Sequence, residues 1–457
     1  MRVLIVTHYF PPETGAPQAR LSALAATWAA DGDDVTVLTG MPNHPTGVLP
    51  PTYRRAVLRR ERAAGYRVVR TWLYATPNEG VARKTLGHLS FMASSVLLGW
   101  RASGPADVVV VSSPTFFSIG SGWLLARLKR ARLVVEVRDL WPAIFVELGV
   151  LTSRRVIWLL ERLELAAYAA ADQVVVVSEG FRADLIRRGV PAAKVHTISN
   201  GADPERFTPA TAASPELRAR LGAGPGDCLV LYAGTHGISQ ALPVIADAAA
   251  ALAGAAPERA AFDGRAPEGV AFDGRAPGGP AIPGGAIRFA FVGDGADQHR
   301  LERRIAELGL RDVTLLPGVP SAEMPELLAA ADICLVPLRR VPLFATFIPS
   351  KMFEYLAAGK AVIGSVTGDA ARILAEAGAV VVPPEDSVSL AAAIGALAAA
   401  PELRARMGQD GRAFVERRYD RATLAREYRK ILDLGSGSGS GSDRDLDLDV
   451  GRAGAFR

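Results

Sequence analysis

Short apolar runs alternate with amphipathic stretches along most of the chain, and polar turns separate them. Short, largely apolar or β-branched runs predict strands over 2–6, 35–39, 107–111, 133–137, 173–177 and 195–198, with a further strand at 66–70. Helical spacing predicts helices over 17–30, 81–100 and 153–171, the first with Leu21, Leu24, Ala25 and Trp28 on one side. The series restarts at Cys228. Strands are predicted over 228–234, 287–292, 313–316, 333–336, 361–364 and 380–382, and helices over 240–252, 321–331, 387–400, 402–415 and 421–432. Strands that are apolar throughout are covered on both faces, and alternation with helices predicts parallel sheets.

Two such series in 457 residues exceed one hydrophobic core. The reading is α/β, with two Rossmann-like domains over 1–200 and 201–415 and a closing helix over 416–433. A tail over 434–457 begins with alternating glycine and serine, a flexible composition. Residues 254–285 carry AFDGRAPEG and then AFDGRAPGG within a Gly/Pro/Ala-rich stretch, which reads as a surface insertion with no motif role.

Composition adds three constraints. Cys228 and Cys334 are the only cysteines, so there is no disulfide framework, and a reducing, cytoplasmic setting is expected. No uncharged apolar run reaches the length of a membrane span, and the amino terminus reads as a first strand. The net charge is +5, and residues 54–70 hold seven arginines against Glu61 alone. Such a patch favours phosphate-bearing partners. The helix over 81–100 has apolar surface enough either for a membrane interface or for burial in a domain.

Candidate chemistry gathers at strand ends. In F347-I-P-S-K-M-F-E-Y-L-A-A-G359, Pro349 suits a helix start and Gly359 its end. Ser350 and Lys351 then stand at a helix amino terminus, where backbone N–H groups and a cation can receive an anion. Glu354 shares a face with Lys351 and can accept hydrogen bonds from hydroxyls, which suits a nucleotide sugar; the alternative is an ordinary ion pair on a helix surface. Gly15 follows the first strand and permits close backbone approach, although G-x-G-x-x-G is absent. Gly234 and Gly293 end later strands. Arg138 and Asp139 are delivered by the strand over 133–137; they are candidates for chemistry or for a structural ion pair.

These motifs resemble a known family. N200-G-A-D-x-x-R-F207, G293-D-G295, A331-D332 and the 347–359 stretch are similar to retaining glycosyltransferases of family 4. H8-Y-F-P-P-E13, R138-D-L-W-P142 and S178-E-G-F181 resemble the branch with bacterial lipopolysaccharide, capsule and fucosamine transferases. The resemblance covers roughly residues 1–432. It implies a GT-B fold with a cleft between two Rossmann-like domains, no required metal or cofactor, and a donor that is a nucleotide sugar, in this branch a UDP-sugar. Glu354 would bind the ribose, and Lys351 with the N–H groups around Ser350 would bind the diphosphate. Gly15 would approach the donor phosphates from the first domain. The acceptor would be a lipid-linked saccharide, such as a polyprenyl-diphosphate saccharide, or another saccharide. The enzyme would stand at the inner face of the membrane, touching it through 54–100. Nucleic acid is not an expected partner, and no oligomeric state follows. A non-catalytic scaffold and a UDP-sugar epimerase are the alternatives.

The sequence departs from the family at three places, one being the usual histidine after the mid-domain strand, where Ser113 and Pro114 stand instead. The first glutamate of the family's E-x7-E falls at Thr346. The basic pair that many relatives carry after the glycine matched by Gly234 is replaced by Thr235-His236-Gly237, with Gln240 beyond. Arg339 or Arg340 is expected to supply the missing positive charge, and Asp139 to be the polar residue on the acceptor side.

Overall fold

The computed structural model describes residues 1–44, 46–77, 80–113, 116–147, 149, 151–209, 214–254 and 285–434. The first half runs β1 (Arg2–Val6), α1 (Ala16–Ala30), β2 (Asp34–Gly40), β3 (Leu58–Ala63), β4 (Tyr66–Thr71), α2 (Val81–Leu97), α3 (Gly99–Ala102), β5 (Val108–Ser112), α4 (Phe116–Lys129), β6 (Arg132–Val137), α5 (Ala143–Glu147), α6 (Arg154–Ala170), β7 (Gln173–Val176), α7 (Glu179–Arg187) and β8 (Val195–Thr197). The strands form one sheet in the order β3-β4-β2-β1-β5-β6-β7-β8, parallel except for β3. The order reverses around β1, and that switch point opens a crevice beyond the strand carboxyl ends.

The second half runs α8 (Pro215–Arg220), β9 (Cys228–Ala233), α9 (Pro243–Leu252), β10 (Ile287–Val292), α10 (Gln298–Glu307), β11 (Val313–Leu316), α11 (Met324–Ala330), β12 (Ile333–Pro337), α12 (Lys351–Ala357), β13 (Ala361–Ser365), α13 (Gly368–Glu376), β14 (Val380–Val382), α14 (Ser387–Ala398), α15 (Pro401–Arg418) and α16 (Arg421–Asp433). Its sheet is parallel, in the order β11-β10-β9-β12-β13-β14. Each sheet has a separate apolar cluster on either face, so the strands Val108–Ser112 and Cys228–Ala233 are buried throughout.

The chain crosses between the sheets twice, at adjacent places. Ala202, beyond β8, forms a bridge with Asp420, just before α16: the Ala202 N–H donates to the Tyr419 carbonyl at 3.1 Å, and the Arg421 N–H to the Ala202 carbonyl at 2.8 Å. Helix α16 then packs on α1 of the first half. Trp28 donates its indole N–H to the Ala425 carbonyl at 2.7 Å, and its ring lies 5.4 Å from that of Tyr428.

Several sequence expectations change. Strand β3 was not expected; it lies inside the arginine-rich segment and pairs antiparallel to β4. Arg70 is fully buried there, bonding Glu61 at 2.8 Å and the carbonyls of Gly40 and Pro11, while Arg67 pairs with Asp34 at 3.0 Å and Arg59 with Glu61 at 3.1 Å. Part of the patch is therefore spent on fixing an edge hairpin. The helix expected over 81–100 breaks at Leu98 into α2 and α3, and α5, α8 and α13 are additional. The 254–285 insertion, apart from Gly254 and Gly285, and the 434–457 tail, apart from Leu434, lie outside the described residues. No single helix among the described residues is long and apolar enough to cross a membrane.

Candidate active site

On the second-domain side, α12 is only seven residues long, and it buries Met352, Phe353, Tyr355, Leu356 and Ala357. That packing fixes the position of its first turn. The N–H groups of Met352 and Phe353 bond back to the Pro349 and Ser350 carbonyls. Tyr355 ties the helix to the end of β9, donating to the Ala233 carbonyl at 2.8 Å and accepting from the Ala233 N–H at 3.0 Å.

Lys351 donates to the Tyr232 hydroxyl, and its ammonium lies 3.8 Å from the centre of that ring. It has no carboxylate within 4 Å among the described residues, so the ordinary ion pair with Glu354 does not form. Burial lowers the Lys351 pKa to about 7, against the opposing charge of Glu354. A cation held this way is half neutral near pH 7 and gains charge when an anion arrives. Glu354 stands 3.8 Å from Arg421. Burial raises its pKa, while Arg421, Arg206 and Lys351 pull it down.

The glycines are explained by close approach. A Cβ on Gly234 would lie 2.9 Å from the Lys351 ammonium. One on Gly293 would run into the Gly234 carbonyl, and one on Gly295 into the His236 backbone. The G293-D-G295 turn thus clasps the 234–236 loop: the His236 N–H donates to the Asp294 carbonyl and the Asp297 N–H to the His236 carbonyl, both at 2.9 Å. His236 is 1% exposed, and neither ring nitrogen has a hydrogen-bond partner among the described residues. Burial first, then Lys351, lowers its pKa, which leaves a neutral imidazole beside the buried ammonium.

Arg339 and Arg340 stand apart from this cluster. The Arg339 N–H donates to Ser239, in the same loop as His236, and its guanidinium is 3.9 Å from Glu385. Arg340 is fixed on the Pro384 carbonyl by two bonds, at 3.1 and 2.9 Å. Thr346 faces the first domain: its carbonyl accepts from the Ser178 hydroxyl at 2.6 Å, and its side chain packs against Gly180.

On the first-domain side, Gly15 caps α1, and a Cβ there would crowd Gln18, whose amide oxygen has no partner among the described residues. Ala16 and Arg20 of α1 line a crevice shared with Ser350, Asn200 and Arg421, which brings the starts of α1 and α12 to opposite walls. Glu136, fully buried, holds Arg20 at 2.8 Å and accepts from Ser112 at 2.6 Å. Burial pulls its pKa up, but Arg20, Arg138 and these bonds hold it below the usual value. Arg138 has two buried nitrogens with no partner among the described residues, and burial lowers its pKa to about 10. Asp139 is raised by burial, with Arg138 opposing, yet the two are not within ion-pair distance. The structural ion pair between them is therefore absent.

The H8-Y-F-P-P-E13 motif folds around Glu13, which accepts N–H bonds from Phe10 (2.9 Å), Asn43 and His44 (both 2.8 Å). Beside it His8 meets His88, Nδ1 to Nδ1 at 3.4 Å, and the Tyr9 ring lies tilted to that of His44, 5.3 Å between centres. Burial, with Lys84 nearby, lowers the His88 pKa to about 4. Sequence reasoning missed this group, because its histidines are far apart in the chain. Of Ser113 and Pro114, which stand in the region of the family's usual histidine, Ser113 donates its N–H to the Glu136 carbonyl at 2.9 Å and Pro114 lies outside the described residues. Among the described residues no three His, Cys, Asp or Glu side chains are placed to hold a metal ion.

Comparison with known proteins agrees with this architecture. A glycosyl transferase 4-like domain model matches residues 15–201, and a glycosyl transferases group 1 model matches 283–414. WcaI of Escherichia coli (strain K12), a glycosyl transferase provisionally assigned to colanic acid biosynthesis, is 27% identical over 366 residues, covering 79% of this chain and 82% of its own. Among solved structures, a sucrose-phosphate synthase from Thermosynechococcus elongatus is 20% identical with a TM-score of 0.67, over 94% of this chain and 98% of its own. Anabaena HepE, solved with UDP-glucose, is 18% identical with a TM-score of 0.65, over 95% and 99%. The two structures bear on the fold alone.

Two facing Rossmann-like sheets, with both family models matched in order, define a glycosyltransferase of the GT-B fold. Within that class the chain is related to the 4-like and group 1 glycosyltransferases and to bacterial cell-surface polysaccharide enzymes such as WcaI.

Proposed function

We propose that the chain moves a sugar from a UDP-sugar, with retention at the anomeric carbon, to a hydroxyl of a polyprenyl-diphosphate saccharide at the inner face of the cell membrane. The observation that carries the donor half is Lys351: a half-buried side chain whose ammonium has no carboxylate within 4 Å among the described residues, walled by Gly234 and three residues from Glu354. A diphosphate is the partner that such a cation lacks. The UDP and UDP-glucose complexes of HepE, on the same fold, support uracil as the base. WcaI supports a polysaccharide acceptor.

In this reading Lys351 and a His236 N–H stabilise the charge that develops on the departing diphosphate, in a site where fixed donors act strongly. Glu354, held by Arg421, accepts from the ribose hydroxyls. A groove of about 380 Å³, lined by Val292, Leu316, Val319 and Leu327 next to Gly293, offers apolar room for the base. The N–H groups around Gly15, across the crevice, approach the phosphates. The acceptor hydroxyl attacks the anomeric carbon from the face the diphosphate leaves, and its proton passes to the leaving phosphate oxygen. Asp139 and Arg138 border the acceptor side. Arg339, which follows β12 and whose N–H bonds to Ser239 of the His236 loop, is a further cation for the bound donor.

Isothermal calorimetry with UDP, GDP and ADP on the wild-type and Glu354→Ala proteins tests the donor site. Selective UDP binding that weakens at least tenfold in the variant is expected. Unchanged binding in a folded Glu354→Ala protein sinks the ribose assignment. Transfer from UDP-sugars into a solvent-extractable lipid, with the product's anomeric configuration read by NMR, tests the acceptor and the retention.

A further inference from the structure

Every exposed large apolar side chain among the described residues, except Ile238, belongs to the first domain. Most of them lie on α2, α3, α4 and α6. Helix α4 packs against both α2 and α6, so these helices form one layer on one face of the sheet.

Helix α6 carries apolar side chains toward the core, where Leu165 and Ala167 pack, and also outward. Its buried residues are Glu164 and Tyr168, which bond each other at 2.7 Å, and Glu164 also pairs with Arg188. Its outer face carries Trp158, 58% exposed, with Leu159 and Leu163. A helix in contact with water keeps its apolar stripe inward. On α2, Leu97 is 78% exposed. Contiguous apolar surface of this kind marks an interaction face.

The charges on α2, α3 and α4 are of one sign, whereas α6 carries exposed Glu161 beside Arg154, Arg155 and Arg162. Helices α2, α3 and α4 contain no acidic residue. Each outward tryptophan has an arginine over its ring: Arg101 at 5.2 Å from Trp100, Arg127 at 6.0 Å from Trp123 and Arg162 at 5.4 Å from Trp158. Beside Trp123 a groove of about 390 Å³ runs between α4 and the start of β6, lined by Arg127, Arg130 and Arg132 against the single carboxylate of Asp172. Neither Arg127 nor Arg130 has an ion-pair partner among the described residues.

We propose that the α2–α4–α6 layer docks on the surface of a bilayer rich in anionic phospholipid. Trp100, Trp123 and Trp158 sit at headgroup depth, and their arginines, with Arg130, take the lipid phosphates. Tryptophan and arginine are the side chains that settle at that depth, each with an apolar body and a polar or charged end. Basic side chains near an anionic surface add attraction that salt weakens. A protein partner would be expected to meet acidic and basic groups together at the rim; α2, α3 and α4, with the groove beside Trp123, offer basic groups against Asp172 alone, and only α6 mixes the two signs. The face extends the expected 54–100 contact onto α4 and α6 and away from the arginines that the β3–β4 hairpin uses. It does not rest on the proposed acceptor, because any substrate could be processed by a docked enzyme.

The test is flotation of the full-length protein with vesicles of phosphatidylglycerol and phosphatidylcholine, against phosphatidylcholine alone, at 0.15 M salt. The expected result is binding to the anionic vesicles only. It should fall about tenfold or more in Trp158→Ser/Leu159→Ser, which removes two inserting side chains, and several-fold in Arg127→Gln/Arg130→Gln, with a shallower salt dependence. UDP affinity should be unchanged in all four variant positions, since they are remote from α12; this separates a failed donor site from a failed surface. No flotation of a UDP-binding wild-type protein, or flotation unaffected by both variants, overturns the proposal. So does a wild-type oligomer in light scattering that Trp158→Ser/Leu159→Ser dissociates, because the face would then be a subunit interface.

Discussion

Lys351 meets two demands that conflict in the absence of ligand. It must be buried to face the diphosphate, and it must be charged to hold it. With a free pKa of about 7 against the ordinary 10.5, the folded protein gives up this proton while the unfolded chain keeps it. Between pH 7 and about 10.5 the unfolded state binds more protons, so this group makes ligand-free stability rise with pH. Nucleotide binding restores the charged form, so UDP affinity should fall as pH rises above 7, by up to about tenfold per unit. Calorimetry from pH 6 to 9 reads this directly. Lys351→Met should weaken UDP binding at pH 6.5 by tenfold or more and flatten the profile; a profile unchanged in that variant assigns the titration elsewhere. Gly293→Ala is a packing counterpart. Its Cβ has no room beside the Gly234 carbonyl, so a loss of about 2 kcal/mol or more is expected, read as a lower Tm. Lys351 and Glu354 were legible in the sequence because helical spacing joins them. His236 was not, because its burial comes from the grip of a turn almost sixty residues away. Thr346 was legible only as a departure; its contact with Ser178 and Gly180 needed both domains in place.

At the scale of elements, the all-apolar strands were the most readable, since burial on both faces leaves a run that nothing else mimics. β1 has its expected boundaries, and those of β5 and β9 differ from the expected ones by one residue. Strand β3 was hidden because an edge strand need not be apolar: Arg59, Arg60 and Arg62 are affordable where one edge meets solvent. The hairpin it forms places Glu61 against Arg70. Glu61→Gln should therefore leave a buried guanidinium without its carboxylate and cost about 3 kcal/mol, checked by urea denaturation. Helix α16 was expected from its spacing, but its partner was not derivable from periodicity. Trp28 is fully buried between α1 and α16. Trp28→Ala should cost about 3–5 kcal/mol, and a loss much below that would mean α16 is not firmly seated.

At the scale of the whole molecule, the two domains touch at a defined point besides the crossings. The Gly180 N–H donates to the Asp369 carboxylate at 2.7 Å, Ser178 bonds the Thr346 carbonyl, and Phe181 meets Phe347 at 5.4 Å between ring centres. This ties the start of α7 to the residues just before Lys351. Gly180→Ala would press on the Thr346 side chain. It should open the cleft, seen as a larger radius of gyration by small-angle scattering, and lower kcat several-fold with the Tm nearly unchanged; an unaltered radius and rate would make the contact incidental. Two α/β domains were legible from two series of strands, and the family resemblance supplied the GT-B cleft, whereas this contact depended on how the series face each other.

The double crossing at Ala202 and Asp420 has a consequence for how the molecule is made. The first domain has all its strands by residue 197, yet the helix that covers Trp28 is the last described element of the chain. The second domain has every helix and strand by residue 418. On the ribosome, then, the domain that begins first is finished last: its α1 face waits, uncovered, through the synthesis of its neighbour, and closes only when residues 421–433 emerge.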